Sequence, residues 1–135
     1  MDDLKRLAIE RWLLLARHDL VTARTMLTVH PPLADVACFH CQQCAEKALK
    51  AFLVFADIHV EKTHFVRRRL DLCAGADPSF DRFQRIATDL TEYAVVGRYP
   101  DEWREFSVAE GTKAVRSAEE VLGFVRKRIP GIALE

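Results

Sequence analysis

The stretch FHCQQCAEKALK, residues 39–50, decides how this chain folds. With Cys38 just before it, three of the four cysteines fall at C-x-x-C-x-x-C spacing beside His40, the spacing of a metal cluster. Zinc ligands, however, have to converge tetrahedrally on one point. On a helix of 3.6 residues per turn Cys38 and Cys44 lie about 240° apart around the axis, so an intact helix cannot aim them together. A cluster loop also needs turn residues to wrap the thiolates, whereas Gln42, Gln43, Ala45, Glu46, Lys47, Ala48 and Leu49 are good helix formers. Cys41, Cys44 or Ala45, Ala48, Phe52 and Phe55 then recur every three or four residues, which is the core stripe of an amphipathic helix. The cysteines are expected to be free core thiols, with no metal and no other cofactor. Gln43, Lys47, Lys50 and Val54 form a second row, and Glu46 with Lys50 makes an i,i+4 pair in the favourable order.

Outward from this helix, the rest of the chain reads as helical too. From Asp3 to about Val29 neither proline nor glycine interrupts a pattern in which Leu7, Leu14, Val21 and Leu4, Ala8, Leu15 recur at helical spacing. Pro31-Pro32 stops that helix, and the one carrying FHCQQCAEKALK should run from about Leu33 to Ile58. Thr63 suits the cap of a third helix with Val66 and Leu70, ended by Gly75, Asp77 and Pro78. A fourth begins at Ser79 or Asp81 and turns Phe83, Ile86, Leu90 and Tyr93 inward. A loop, VVGRYPDEW, leads to a last helix from about Ser107 to Arg128 with Val108, Val115, Val121, Leu122 and Val125 toward the core. No hairpin signal is present, so the expected fold is an all-α up-and-down bundle of four to five helices.

The composition sets limits on function. At 135 residues, half of them hydrophobic, the chain suits a single domain over residues 1–133, with Leu134-Glu135 read as a cloning scar. Twenty basic residues balance twenty acidic ones, which excludes a global field for polyanions; the runs Arg67-Arg68-Arg69 and Arg126-Lys127-Arg128 read as solvated helix faces. The N-terminal residues lack the pattern of a signal peptide and no long apolar span occurs, so a cytoplasmic protein away from membranes is expected.

Several segments in order resemble the HEPN family of small, largely prokaryotic all-α domains. They are Trp12 with the Ala16, Asp19-Leu20 and Ala23 register, FHCQQCAEKALKAFL (39–53), Lys62-Thr63-His64, and Arg98-Tyr99-Pro100-Asp101, within a resemblance covering roughly residues 8–126. The resemblance implies a helical bundle, commonly a homodimer, often partnered with a separate small nucleotidyltransferase as a toxin–antitoxin pair. Many members are metal-independent endoribonucleases with an R-x4-6-H motif, in which arginine holds phosphate and histidine moves a proton. This chain departs from that pattern, because no histidine follows Arg98. Arg11 to His18 and Arg24 to His30 match the spacing formally, as an arginine-rich chain does by chance.

The implied activity is therefore nucleotide or RNA binding as the HEPN partner of a nucleotidyltransferase. The alternatives are an endoribonuclease with a displaced histidine, for which His64 with Arg98 is the candidate, and a non-catalytic scaffold that pairs through the apolar faces of its first and last helices. At the loop, Arg98 suits a phosphate bidentately, Tyr99 a base by stacking, and Asp101 a ribose. The structural reading of the same residues is an interhelical lock, with Arg98 paired to Glu46, Glu92 or Asp101. Glu46, Lys47 and Lys50 complete the candidate nucleotide- or RNA-binding set.

Overall fold

The computed structural model describes residues 1–60, 62, 66–94 and 100–132. Five α-helices account for most of them: α1 (Asp3–Met26), α2 (Ala34–Phe55), α3 (Val66–Ala76), α4 (Gln84–Glu92) and α5 (Val108–Arg128). Short 3-10 stretches at Pro78–Phe83 and Pro100–Glu102 precede α4 and α5. No strand occurs among the described residues, and the architecture is the expected all-α up-and-down bundle.

The boundaries follow from local chemistry. Asp2 caps α1 by accepting from the Lys5 N–H at 2.7 Å, and Ser107 caps α5 by accepting from the Glu110 N–H at 3.0 Å. Asp77 opens the 3-10 stretch, accepting from both the N–H and the hydroxyl of Ser79. α1 stops three residues before the expected Val29. The Leu27 and Thr28 N–H groups close onto the Arg24 and Thr25 carbonyls three residues back, so the helix has ended before Pro31-Pro32, and beyond the prolines the Leu33 N–H reaches back to the Met26 carbonyl at 2.8 Å.

α2 is the axis of the bundle. α1 and α5 flank it on one side, and α3, α4 and the 3-10 stretch close the other. Its Ala37, Cys38, Cys41, Cys44, Ala45 and Ala48 are all wholly buried, and such small side chains let neighbouring helices approach closely. The expected stripe from Cys41 to Phe55, whose last member is half-buried, is thus only part of the buried surface. Leu53, which helical geometry puts about 120° from Cys41, is equally enclosed because α2 is surrounded rather than lying on one face of a core. At the far end Phe52, Phe80, Phe83 and Phe124 form an aromatic cluster with ring centroids 4.5–5.0 Å apart.

Two expected core assignments are corrected. The buried stripe of α1 is Ile9, Leu13, Ala16, Leu20 and Ala23, while Leu4, Leu7, Leu14, Leu15 and Val21 stay exposed. The helix is apolar on two sides, and the side carrying alanines is the one that nests against α2. Val108 is exposed as well, at the first position of α5.

Candidate functional site

The polar flank of α2 faces α1 and α3 and carries two linked ionic groups. The first centres on Asp19 of α1, a nearly buried carboxylate. Its Oδ2 accepts from Lys47 Nζ at 2.6 Å and its Oδ1 from His40 Nδ1 at 2.8 Å. Facing a carboxylate that accepts from Lys47 as well, His40 Nδ1 carries the proton, which leaves Nε2 as the ring's second hydrogen-bonding atom. His40 is half-buried, with Phe39 edge-on to its ring at 5.4 Å. Lys47 and His40 are seven residues apart, two turns along one face of α2, so one carboxylate from α1 reaches both.

The second group centres on Glu46. Its Oε1 lies 3.2 Å from Lys50 Nζ and 3.4 Å from Arg69 Nε on α3, and its Oε2 accepts from Gln42 Nε2 at 3.1 Å. Gln43 in turn donates to Gln42 Oε1 at 2.7 Å. The QQCAEK segment is therefore a hydrogen-bonded chain that ends on a wholly buried arginine. Lys50 also lies 4.7 Å above the Trp12 ring of α1, a cation–π contact, and burial pushes its pKa down. Along this seam, among the described residues, Lys47 and Lys50 of α2 and Arg69 of α3 face the carboxylates of Asp19 and Glu46.

A third polar group stands where the segment before α5 meets α4. Arg104 grips Glu110 bidentately at 3.0 and 2.7 Å, Tyr93 donates to Glu110 Oε2 at 2.9 Å, and Glu92 lies 3.5 Å from the same guanidinium. Arg104 further stacks on Phe106, 3.8 Å from the ring centre. Its hydrogen bonds, with the Tyr93 bond second to them against burial, hold the Glu110 carboxyl below the usual range. A cleft lined by Arg85, Asp89, Tyr93 and Lys113 opens beside this group. Cys38 borders the Tyr93–Glu110 group, and burial pushes its thiol up to about 12. Burial likewise raises Cys44 and Cys73 to about 12 and shifts Cys41 in the same direction.

Of the residues singled out in the sequence, Glu46, Lys47 and Lys50 share one seam, and the Glu46–Lys50 pair is present. Asp101 is exposed in the turn before α5. His64, Arg98 and Tyr99, with Thr63 and the Leu134-Glu135 end, lie outside the described residues. Arg69 departs from the solvated face expected of its basic run, since α3 lays it onto Glu46. Arg67 stays outside and donates to Thr88 at 2.9 Å. Asp19, His40, Arg69, Arg104 and Glu110 were not among the candidates, because their partners are invisible in local spacing. Among the described residues no group of three or more His, Cys, Asp or Glu side chains converges as metal ligands.

An all-helical bundle built around a QQCAEKALK axis defines a class. A HEPN domain profile matches residues 9–128, and the chain belongs to the HEPN family. Among solved structures it is similar to ST0689, described as an archaeal HEPN homologue, at 29% identity and a TM-score of 0.72, over 90% of this chain and 97% of that one. It is also similar to TT1696 from Thermus thermophilus, at 30% identity and a TM-score of 0.71, over 89% and 97% of the two chains. No curated protein matches the sequence. No helix among the described residues is long and apolar enough to cross a membrane.

Proposed function

We propose that this HEPN domain binds a nucleotide or RNA without cutting it, acts as a homodimer, and serves as the HEPN partner of a separate nucleotidyltransferase in a toxin–antitoxin type pair. The observation that carries the reading is a HEPN domain spanning nearly the whole chain in which all five histidines precede Arg98, so the R-x4-6-H arrangement is absent there. The partly exposed cations Lys47 and Lys50 of the α2 seam support an anionic ligand. In this reading Arg98 and Tyr99 take a phosphate and a base, Asp101 a ribose hydroxyl, and Glu46, Lys47 and Lys50 of α2 complete the binding set, with His64 a further candidate. Ligand that binds only the folded chain raises its melting temperature. ATP or a short RNA should therefore produce a shift that Arg98→Ala removes; no shift with either ligand would sink the binding reading and leave the scaffold alternative.

One observation favours the endoribonuclease alternative in a form different from the sequence expectation. His40, oriented by a nearly buried carboxylate and flanked by Lys47, has the arrangement of a proton-transfer histidine next to a phosphate-holding cation. In that case RNA should be cut in the presence of EDTA, His40→Gln should abolish cutting, and His64→Ala should leave it. Intact RNA after prolonged incubation with the wild-type chain would remove this alternative.

A further inference from the structure

We propose that the cleft between the 3-10 stretch Pro78–Phe83 and the C-terminal half of α5 binds a small phosphomonoester with a hydroxylated body, the class of the sugar phosphates. This site is separate from the α2 seam and shares no residue with the set proposed for nucleotide or RNA.

The cleft has a volume of about 740 Å³, within the range of small-molecule sites. One side of α5, from Glu119 to Arg128, forms one wall, and Arg82 and Phe83 form the other. Gly123 sits midway along the α5 wall, and a Cβ there would meet nothing within 4 Å. Packing therefore does not call for glycine at this position, although glycine weakens a helix interior. What the missing side chain leaves is room in the cleft. The Arg82 guanidinium lies 5.8 Å from the Phe83 ring centre and 5.5 Å from that of Phe124, and the Arg128 guanidinium lies 4.6 Å from Phe124. Phe124 is itself wedged edge-on against Phe80 and Phe83, with ring centres 5.0 Å apart in both contacts. Held against anchored rings, the Arg82 guanidinium is placed in advance without spending a donor on a carboxylate, which lowers the ordering cost of taking an oxyanion.

The charges lining the cleft select the ligand. Glu119 is answered by Arg24 of α1 at 3.3 Å, and Arg128 faces Asp77 at 3.9 Å, so these four charges offset one another in pairs. Among the described residues Arg82 and Lys127 have no carboxylate partner and Glu120 has no cation. Two uncommitted cations therefore stand at one end of the cleft and one uncommitted carboxylate at the other. Glu120 and Lys127 are seven residues apart on α5, about 10 Å along its axis. A ligand that fills this length has to be anionic where it meets Arg82 and Lys127 and to donate a hydrogen bond where it meets Glu120. A phosphomonoester carries about two negative charges at neutral pH and matches both cations, which a single carboxylate cannot. A sugar hydroxyl supplies the donor for Glu120. A nucleic-acid strand fits less well, because its next phosphate would run onto Glu119 and Glu120.

Isothermal titration calorimetry of the full chain at low ionic strength tests this, with ribose 5-phosphate, inorganic phosphate and ribose as probes. Ribose 5-phosphate should bind saturably, inorganic phosphate more weakly and ribose not at all. Arg82→Gln should weaken the binding of ribose 5-phosphate roughly 10-fold or more, the effect of losing one charge-assisted hydrogen bond. Gly123→Met should abolish binding by filling the cleft, yet melt no lower than the wild type, because methionine is the better helix former. Arg98→Ala should leave binding of ribose 5-phosphate unchanged, whereas it removes the ATP or RNA shift of the proposed function. No saturable binding of ribose 5-phosphate, binding that survives both cleft substitutions, or binding that Arg98→Ala removes would overturn the site. Inorganic phosphate bound as tightly as ribose 5-phosphate would overturn the sugar-phosphate class.

Discussion

Asp19 fastens α1 to α2, and replacing it tests that fastening directly. Asp19→Ala removes the carboxylate that accepts from Lys47 at 2.6 Å and His40 at 2.8 Å. Breaking a fully buried ion pair from one side costs about 3–5 kcal/mol, because the remaining charge is left without compensation. Here the partners are less enclosed: the side chains of Lys47 and His40 are 23% and 28% exposed, so water recovers part of their solvation. The expected loss is about 2–3 kcal/mol. At roughly 4 °C per kcal/mol for a chain of this size, the melting temperature should fall by about 8–12 °C. The urea midpoint should fall by roughly 1–1.5 M at a slope near 2 kcal/mol per molar. Asp19→Asn should do little better, because its single carbonyl oxygen can accept from one donor while its NH2 group faces the other. Lys47→Ala should cost less, about 1–2 kcal/mol, since His40 still satisfies the carboxylate. The double variant should then fall short of additivity by 0.5 kcal/mol or more, roughly the threshold for contacting residues. A loss below about 1 kcal/mol for Asp19→Ala, or strict additivity in the cycle, would refute the reasoning.

Three other outcomes follow from the same coordinates. Glu110 has its folded pKa depressed, chiefly by the Arg104 hydrogen bonds, so its contribution is fully present above the ordinary glutamate value of 4.5 and is lost as pH falls through the folded value. The gap in melting temperature between wild type and Glu110→Gln should therefore be widest near neutral pH and close in acid. The four buried thiols, all raised by burial, should resist iodoacetamide at neutral pH and react together only when urea unfolds the chain; rapid labelling of one in the native state would contradict its burial. Leu49→Ala, at a position 1% exposed on the central helix, should cost about 2–5 kcal/mol in urea unfolding, well beyond any surface substitution.

The helices were legible in the sequence because their signals are local. Ser107 and the 3.6-residue period of α5 lie within a few residues of what they organise, and so does the Glu46–Lys50 pair. What spacing could not convey is contact between distant segments. His40 and Asp19 are 21 residues apart and Glu46 and Arg69 are 23 apart, so the buried half of the seam became visible only once α1 and α3 were docked on α2. α1 was misread for a different reason. It carries two apolar stripes, and periodicity identifies both without saying which one packs on its own bundle. The leucines make the stronger signal, yet Ala16 and Ala23 decide the matter, because a crowded axis such as α2 admits close neighbours only through small side chains. Arg69 illustrates the same limit, since a run of three arginines reads as solvent-facing until a partly buried carboxylate, Glu46, is found opposite one of them.

The central proposal is that this HEPN domain holds a nucleotide or RNA and does not cut it. It is tested most directly by titrating a labelled RNA oligonucleotide and ATP into the wild-type chain and into Arg98→Ala in the presence of EDTA, following binding by anisotropy and RNA integrity on a gel. The account predicts saturable binding of at least one ligand to the wild type, none to Arg98→Ala, and intact RNA throughout. Cleaved RNA, or binding that Arg98→Ala leaves untouched, would contradict it.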